Sequence, residues 1–159
     1  NTFYNVGLKS KKQTNPFLSI KYHAFDSFEG LLESDSENNP IQYFGGNYKA
    51  EDNLFLNNVR AAGVDMSRVT VPKGWFNDSL TKGAAKKIGL SDIPIAYIDC
   101  DLYESTVDIL EFVLPYLKTG TVLVFDDWFR NRGYSGNGVQ GAVLDWLWSE
   151  QTNFAATFS

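Results

Sequence analysis

Two apolar runs in this chain end abruptly on acids. Ile95–Ile98 stops on Asp99-Cys100-Asp101, and residues 121–125 stop on Asp126-Asp127. Side chains alternate along a strand, so Asp99 and Asp101 point the same way while the strand lasts. Asp126 and Asp127 would point to opposite sides in a strand, but a turn at that point can gather them. Carboxylates converging on one edge repel each other unless a cation is present, and a hard divalent ion such as Mg²⁺ or Ca²⁺ prefers such oxygen ligands. The plainer reading is that Asp101 caps the following helix and one of Asp126 and Asp127 caps a turn. Two successive strands each ending in two acids favour the first reading. Asp26 also ends an apolar run, one unit earlier. In nucleotide-binding α/β folds an acid at that place accepts hydrogen bonds from ribose hydroxyls, while its ordinary role is a turn with Ser27. Trp75 and Phe76 follow a third short run, where an aromatic can lie against a flat base or simply fill core.

These residues need strands and helices to position them. Residues 2–12 read as a helix with cations in the last turn, and Pro16 breaks it. Residues 17–25 read as a strand containing His23, the only histidine, which suits a packed or edge position better than a catalytic base. Residues 33–48 form a polar excursion. Residues 49–62 read as a helix with Leu54, Phe55, Val59 and Ala62 inward and Gly63 as its stop. Residues 68–71 read as a strand, and Asn77-Asp78-Ser79 as the cap of a weak helix. After Ile95–Ile98, Ser105 and Asp108 approximate a capping box for the next helix, and Pro115 weakens its last turn. Residues 121–125 are apolar, as in a strand covered on both faces. A glycine-rich loop at 128–138 leads to a helix over 139–148. Strand and helix alternate at least three times, which predicts an α/β fold with a mainly parallel sheet. In such sheets ligands sit at the carboxyl edge.

At 159 residues the chain fits one domain spanning 1–159. A net charge of −5, with only 14 Lys plus Arg, argues against a nucleic-acid surface. No apolar run approaches the roughly 20 residues of a spanning helix, so no membrane partner is expected. The single cysteine, Cys100, excludes an internal disulfide and fits a reducing, cytoplasmic setting. A homo-oligomer is compatible with this composition. The first residues and the last, apolar ones read as cut ends, so a fragment is expected.

Four stretches carry a resemblance: residues 25–31 (Phe-Asp-Ser-Phe-Glu-Gly-Leu), Lys73-Gly74-Trp75-Phe76, residues 98–106 (Ile-Asp-Cys-Asp-Leu-Tyr-Glu-Ser-Thr) and Phe125-Asp126-Asp127-Trp128. Together they resemble the macrocin O-methyltransferase family over residues 26–146. Its members are class I S-adenosylmethionine-dependent methyltransferases that modify sugar hydroxyls of natural products. The resemblance implies a Rossmann-like, doubly wound sheet, with S-adenosylmethionine and Mg²⁺ as cofactors and a small hydroxylated, sugar-bearing acceptor. It implies that Asp99, Asp126 and Asp127 hold the metal, and that Asp101, or Asp99 itself, is the base. Asp26, Ser27, Gly74, Trp75 and Asp99 would line the donor site. It also implies a first strand and glycine-rich turn upstream of residue 1, lying between the 17–25 and Ile95–Ile98 strands, and further strands beyond residue 159. Two other readings compete. Asp99-Cys100-Asp101 is formally the Asp-x-Asp of a metal-dependent glycosyltransferase, and the chain could instead be a non-catalytic fragment.

Overall fold

A computed structural model describes residues 20–33, 44–130 and 136–149. The expected helix over 2–12 and the start of the 17–25 strand lie outside these residues. The elements run β1 (Tyr22–His23), α1 (Asp52–Ala61), a 3-10 turn at Met66–Arg68, β2 (Val69–Thr70), α2 (Phe76–Ser79) and α3 (Lys82–Ile88). They continue with β3 (Ile95–Ile98), α4 (Tyr103–Val113), a 3-10 turn at Leu114–Tyr116, β4 (Val122–Phe125) and α5 (Gly138–Trp148).

The strands pair in parallel, as the βα alternation requires. β1 lies beside β2, and the ladder reaches on to a bridge between Asp26 and Lys73. β3 lies beside β4 in the register Ile95↔Val122 to Ile98↔Phe125. Thr121 fixes that register by donating its hydroxyl to the Ile93 carbonyl at 2.6 Å. The two pairs form separate two-stranded sheets among the described residues. The fold class is therefore the expected α/β one, while the single continuous sheet is not formed by the described strands. Each pair ends on acids, Asp26 in one and Asp99 and Asp126 in the other.

One face of β3 and β4 builds the core. Ile98, Cys100, Leu110, Val139 and Val143 form its buried centre, with Leu123, Phe125, Trp128 and Trp146 packed around it. α4 and α5 approach closely at Gly141, where an added Cβ would stand 3.5 Å from the Tyr103 ring of α4, and the loop before α5 folds back on the same glycine. A Cβ there would stand 2.7 Å from Gly136. Among the described residues nothing covers the opposite face: Ile95, Tyr97, Val122 and Val124 are all exposed. This corrects the expectation that residues 121–125 are buried on both sides. Alternation along the strand sends Val122 and Val124 away from the helices.

Helix details differ from the sequence reading in three places. In α1 the inward residues are Phe55, Leu56 and Val59, whereas Leu54 and Ala62 face solvent. Spacings of three and four from Val59 select that stripe. Gly63, at φ +80°, does end the helix. Asn77, Asp78 and Ser79 lie inside α2, and the cap of α3 is Thr81, whose hydroxyl accepts the Ala84 amide at 3.1 Å. Ser105 does not cap α4, because the helix already starts at Tyr103 and Leu102 is its N-cap. Pro115 stands in the 3-10 turn that finishes α4.

Candidate functional site

The carboxyl ends of β3 and β4 bring three acids together. Asp99, Asp126 and Asp127 each offer a carboxylate oxygen, all within 4.8 Å of one another. Parallel register does most of this. Asp99 and Asp126 each follow the last paired residue of a strand, and the Asp126 amide still donates to the Ile98 carbonyl at 3.0 Å. The chain then turns, and the Arg130 amide donates back to the Asp127 carbonyl at 3.1 Å. That turn swings Asp127 to the same side as Asp126, which the sequence had left open to a turn at this point.

Asp101 stands beside the cluster on a strained backbone. Its φ is +60°, and the Leu102 amide donates across it to the Cys100 carbonyl at 2.6 Å. A tight three-residue turn with positive φ at a non-glycine residue is costly. It separates Asp101 from the strand direction and starts α4 immediately afterwards. The Asp101 side chain is buried, and this burial, reinforced by the charge of Asp127, pushes its carboxyl up to about 6. The Arg130 guanidinium works in the opposite direction. Asp99, although reached by solvent, loses enough hydration that its carboxyl is raised, with Asp126, Asp127 and Asp26 adding repulsion. The effect of Asp26 at Asp99 brings the acid ends of the two sheets into one electrostatic neighbourhood.

Cys100, between the two acids, points into the core. Burial pushes its thiol up to about 12, and its sulfur lies 3.3 Å from Thr106 Oγ1. It is packing rather than a nucleophile.

On the other sheet, Asp26 Oδ1 accepts the Phe28 amide at 2.6 Å, and the Ser27 hydroxyl accepts the Glu29 amide at 3.1 Å. Ser27 is buried in this turn, so its hydroxyl is committed to shaping the chain. The Gly74 amide donates to the Asp26 carbonyl at 3.0 Å, which sets Gly74 and Trp75 beside Asp26. Gly74 has φ +150°, and Trp75 is the partly buried N-cap of α2. His23 lies outside the site. Its Nδ1 meets Thr70 Oγ1 at 2.5 Å, and burial, with the Lys21 charge, lowers its pKa.

With this geometry established, comparison with known proteins decides the family. The profile of the macrocin-O-methyltransferase family (TylF) matches residues 9–137. The chain belongs to the macrocin-O-methyltransferase family. Among curated proteins, it is 30% identical over 109 residues to an 8-demethyl-8-(2,3-dimethoxy-α-L-rhamnosyl)-tetracenomycin-C 4′-O-methyltransferase of Streptomyces olivaceus, across 65% of this chain and 40% of that one. Among solved structures, the O-methyltransferase NovP superposes with a TM-score of 0.61 at 20% identity. The calicheamicin methyltransferase CalS11 gives 0.59 at 21%. Each likeness covers 80% of this chain and 51% of the other. The chain thus spans about half the length of these solved relatives, and their likeness places its fold among the Rossmann-like methyltransferases.

The acids gather, but two partners of those acids, and a third residue behind one of them, escaped the sequence reading. Tyr97 donates its hydroxyl to Asp126 Oδ1 at 2.5 Å, and this hydrogen bond pushes its phenol up to about 12. Its position two residues before Asp99, on the same strand side, was a usable signal. Arg130 Nη1 lies 3.0 Å from Asp101 Oδ1 and donates to Asp127 Oδ1 at 3.3 Å. The spacing of three from Asp127 hinted at it. Tyr48, which meets Arg130 at 2.6 Å, carried no local signal.

The donor set fits a divalent cation. All three groups offer hard carboxylate oxygens, and Asp127 Oδ2 is buried without a hydrogen-bond partner among the described residues. The Asp26 carboxylate beside Gly74 and Trp75 likewise has the chemistry to meet a ribose and a flat base. Among the described residues no helix is long and apolar enough to cross a membrane.

Proposed function

We propose that this chain serves an S-adenosylmethionine-dependent, Mg²⁺-dependent O-methyltransferase that acts on a hydroxyl of a small, sugar-bearing acceptor. The observation that carries this reading is the convergence of Asp99, Asp126 and Asp127 within 4.8 Å beside a strained, buried Asp101. Family membership favours methyl over glycosyl transfer, and the name of the Streptomyces relative supports a sugar hydroxyl as the acceptor class.

In this reading Asp99, Asp126 and Asp127 hold the ion, which when bound would orient the acceptor hydroxyl and weaken its grip on its proton. Asp101 receives that proton. It stands outside the three-carboxylate cluster, and burial makes it a stronger base than an ordinary carboxylate while leaving it mostly ionised at neutral pH. S-adenosylmethionine supplies the methyl group on a sulfonium. With that donor bound, the oxygen–methyl bond would form as the sulfur–methyl bond breaks, and the sulfur would keep that bonding pair as a neutral thioether. Asp26 and Trp75 contribute by fixing the donor's ribose and base. Alignment of oxygen, methyl and sulfur is the main catalytic requirement, because the methyl donor is a sulfonium cation and no oxyanion hole is needed.

Calorimetric titration with S-adenosylhomocysteine and with nucleotide diphosphates tests the donor class, and tight binding of the diphosphates alone would overturn it. Methyl transfer to glycosylated acceptors should stop in Asp126→Ala. Full rates in the presence of EDTA would remove the metal from the mechanism.

A further inference from the structure

We propose that Arg130 is a positioning residue that holds Asp127 by one oxygen, presents the other to the cation, and ties the acid cluster to the 44–49 turn through Tyr48. This inference rests on the cation reading above and concerns residues that the family's acid motifs do not include.

Three observations converge on it. Arg130 Nη1 donates to Asp127 Oδ1 at 3.3 Å, whereas Asp127 Oδ2 is buried with no hydrogen-bond partner among the described residues. One oxygen is restrained and the other left for a ligand, the usual arrangement when an outer residue orients a metal-binding carboxylate. The same Nη1 sits 3.0 Å from Asp101 Oδ1 as an ion pair without a hydrogen bond, so it offsets charge there without committing that oxygen. The far side of the guanidinium is held as well: Nη2 donates to the Tyr48 hydroxyl at 2.6 Å, and Cζ lies 5.4 Å from the Tyr48 ring centroid. A planar fork can make these contacts at once, which an ammonium group cannot.

Tyr48 does not hang from a loose loop. The Leu31 amide donates to the Asn47 carbonyl at 2.8 Å, and the Gly46 amide donates to the Leu31 carbonyl at 2.9 Å. Gly30, at φ +86°, lies so close that a Cβ would stand 2.5 Å from the Asn47 oxygen. Lys49 meets Glu29 at 2.5 Å. The turn is thereby stitched to the segment that follows Asp26. Arg130 spans from this segment to Asp127, linking the acid ends of two sheets that do not pair with each other among the described residues.

Mn²⁺ titration followed by electron paramagnetic resonance tests the role without requiring turnover. Arg130→Ala should weaken Mn²⁺ binding by about 10- to 100-fold, the usual effect of removing such an orienting partner. Arg130→Lys keeps the charge but not the fork, and should fall on the same side by at least about tenfold. Thermal melts verify folding, and if the alanine variant does not fold, the lysine variant decides. Hydrogen exchange at the Leu31 and Gly46 amides should slow when the wild-type chain is saturated with Mn²⁺, and should not slow in Arg130→Lys. Unchanged or tighter Mn²⁺ binding in these variants overturns the proposal and makes Arg130 a mere counter-charge. Unchanged exchange in the wild type overturns the link to the turn. No Mn²⁺ binding by the wild type overturns both this inference and the cation reading beneath it.

Discussion

The site is governed by how one carboxylate differs from its neighbours. Asp101 is buried, lies on a backbone of positive φ and titrates near 6, whereas an ordinary aspartate titrates near 3.8. The native state therefore binds more protons at this position than the unfolded state between those values. Stability must fall as pH rises through that window, and the contribution is fully present only below it. Asp101→Asn should flatten this fall, measured as melting temperature against pH from 4 to 7 in EDTA. An unchanged slope would place the titration elsewhere in the cluster. The nearby Asp127 and Arg130 pull in opposite senses, so the direction owes most to burial.

Elements matter because α4 and α5 pack together beneath the strands that carry the acid edge. Leu110 on α4 is fully buried and faces Val139 and Val143 of α5 and Ile98 of β3. Leu110→Ala should cost about 2–5 kcal/mol, read from urea denaturation, because the cavity it leaves is walled on several sides. Tyr103, the first residue of α4, donates to Asp145 Oδ2 on α5 at 2.8 Å, so the two helices are also pinned at the end nearest the strained turn. The boundaries of these helices were largely legible in the sequence. Their caps were not: Ser105 has capping chemistry, but the reversal at Asp101 starts the helix two residues before it.

At the scale of the molecule, the most unusual feature is a parallel strand pair that the described residues leave bare on one face. Ile95 is 65% exposed and Val122 51%, beside Tyr97 and Val124. Parallel strands are normally covered on both sides, and contiguous apolar surface of this kind binds other apolar groups. The chain should therefore enhance the fluorescence of a hydrophobic dye such as anilinonaphthalene sulfonate. The double variant Ile95→Lys and Val122→Lys should lose most of that signal while keeping its far-ultraviolet circular dichroism. A signal that survives the substitutions would assign the dye to another surface.

The sequence by itself determined the α/β class, the β3 and β4 strands and the acids at their ends. Apolar runs stopped by carboxylates survive any uncertainty in packing, and the family motif fixed which acids belong together. Tertiary structure decided what neither periodicity nor motif encodes. Parallel register set Asp99 level with Asp126, and a turn turned Asp127 toward them. The positive φ at Asp101 moved that residue off the strand axis. Tyr48 met Arg130 across 82 residues of sequence. Contacts at that separation depend on how the chain closes in space, and no local pattern announces them. The Asp99–Asp101 pair, which alone could serve a glycosyltransferase or a simple cap, is resolved by that closure into two different groups. Asp99 joins Asp126 and Asp127 in a three-carboxylate edge, and Asp101 stands beside them as a buried carboxyl.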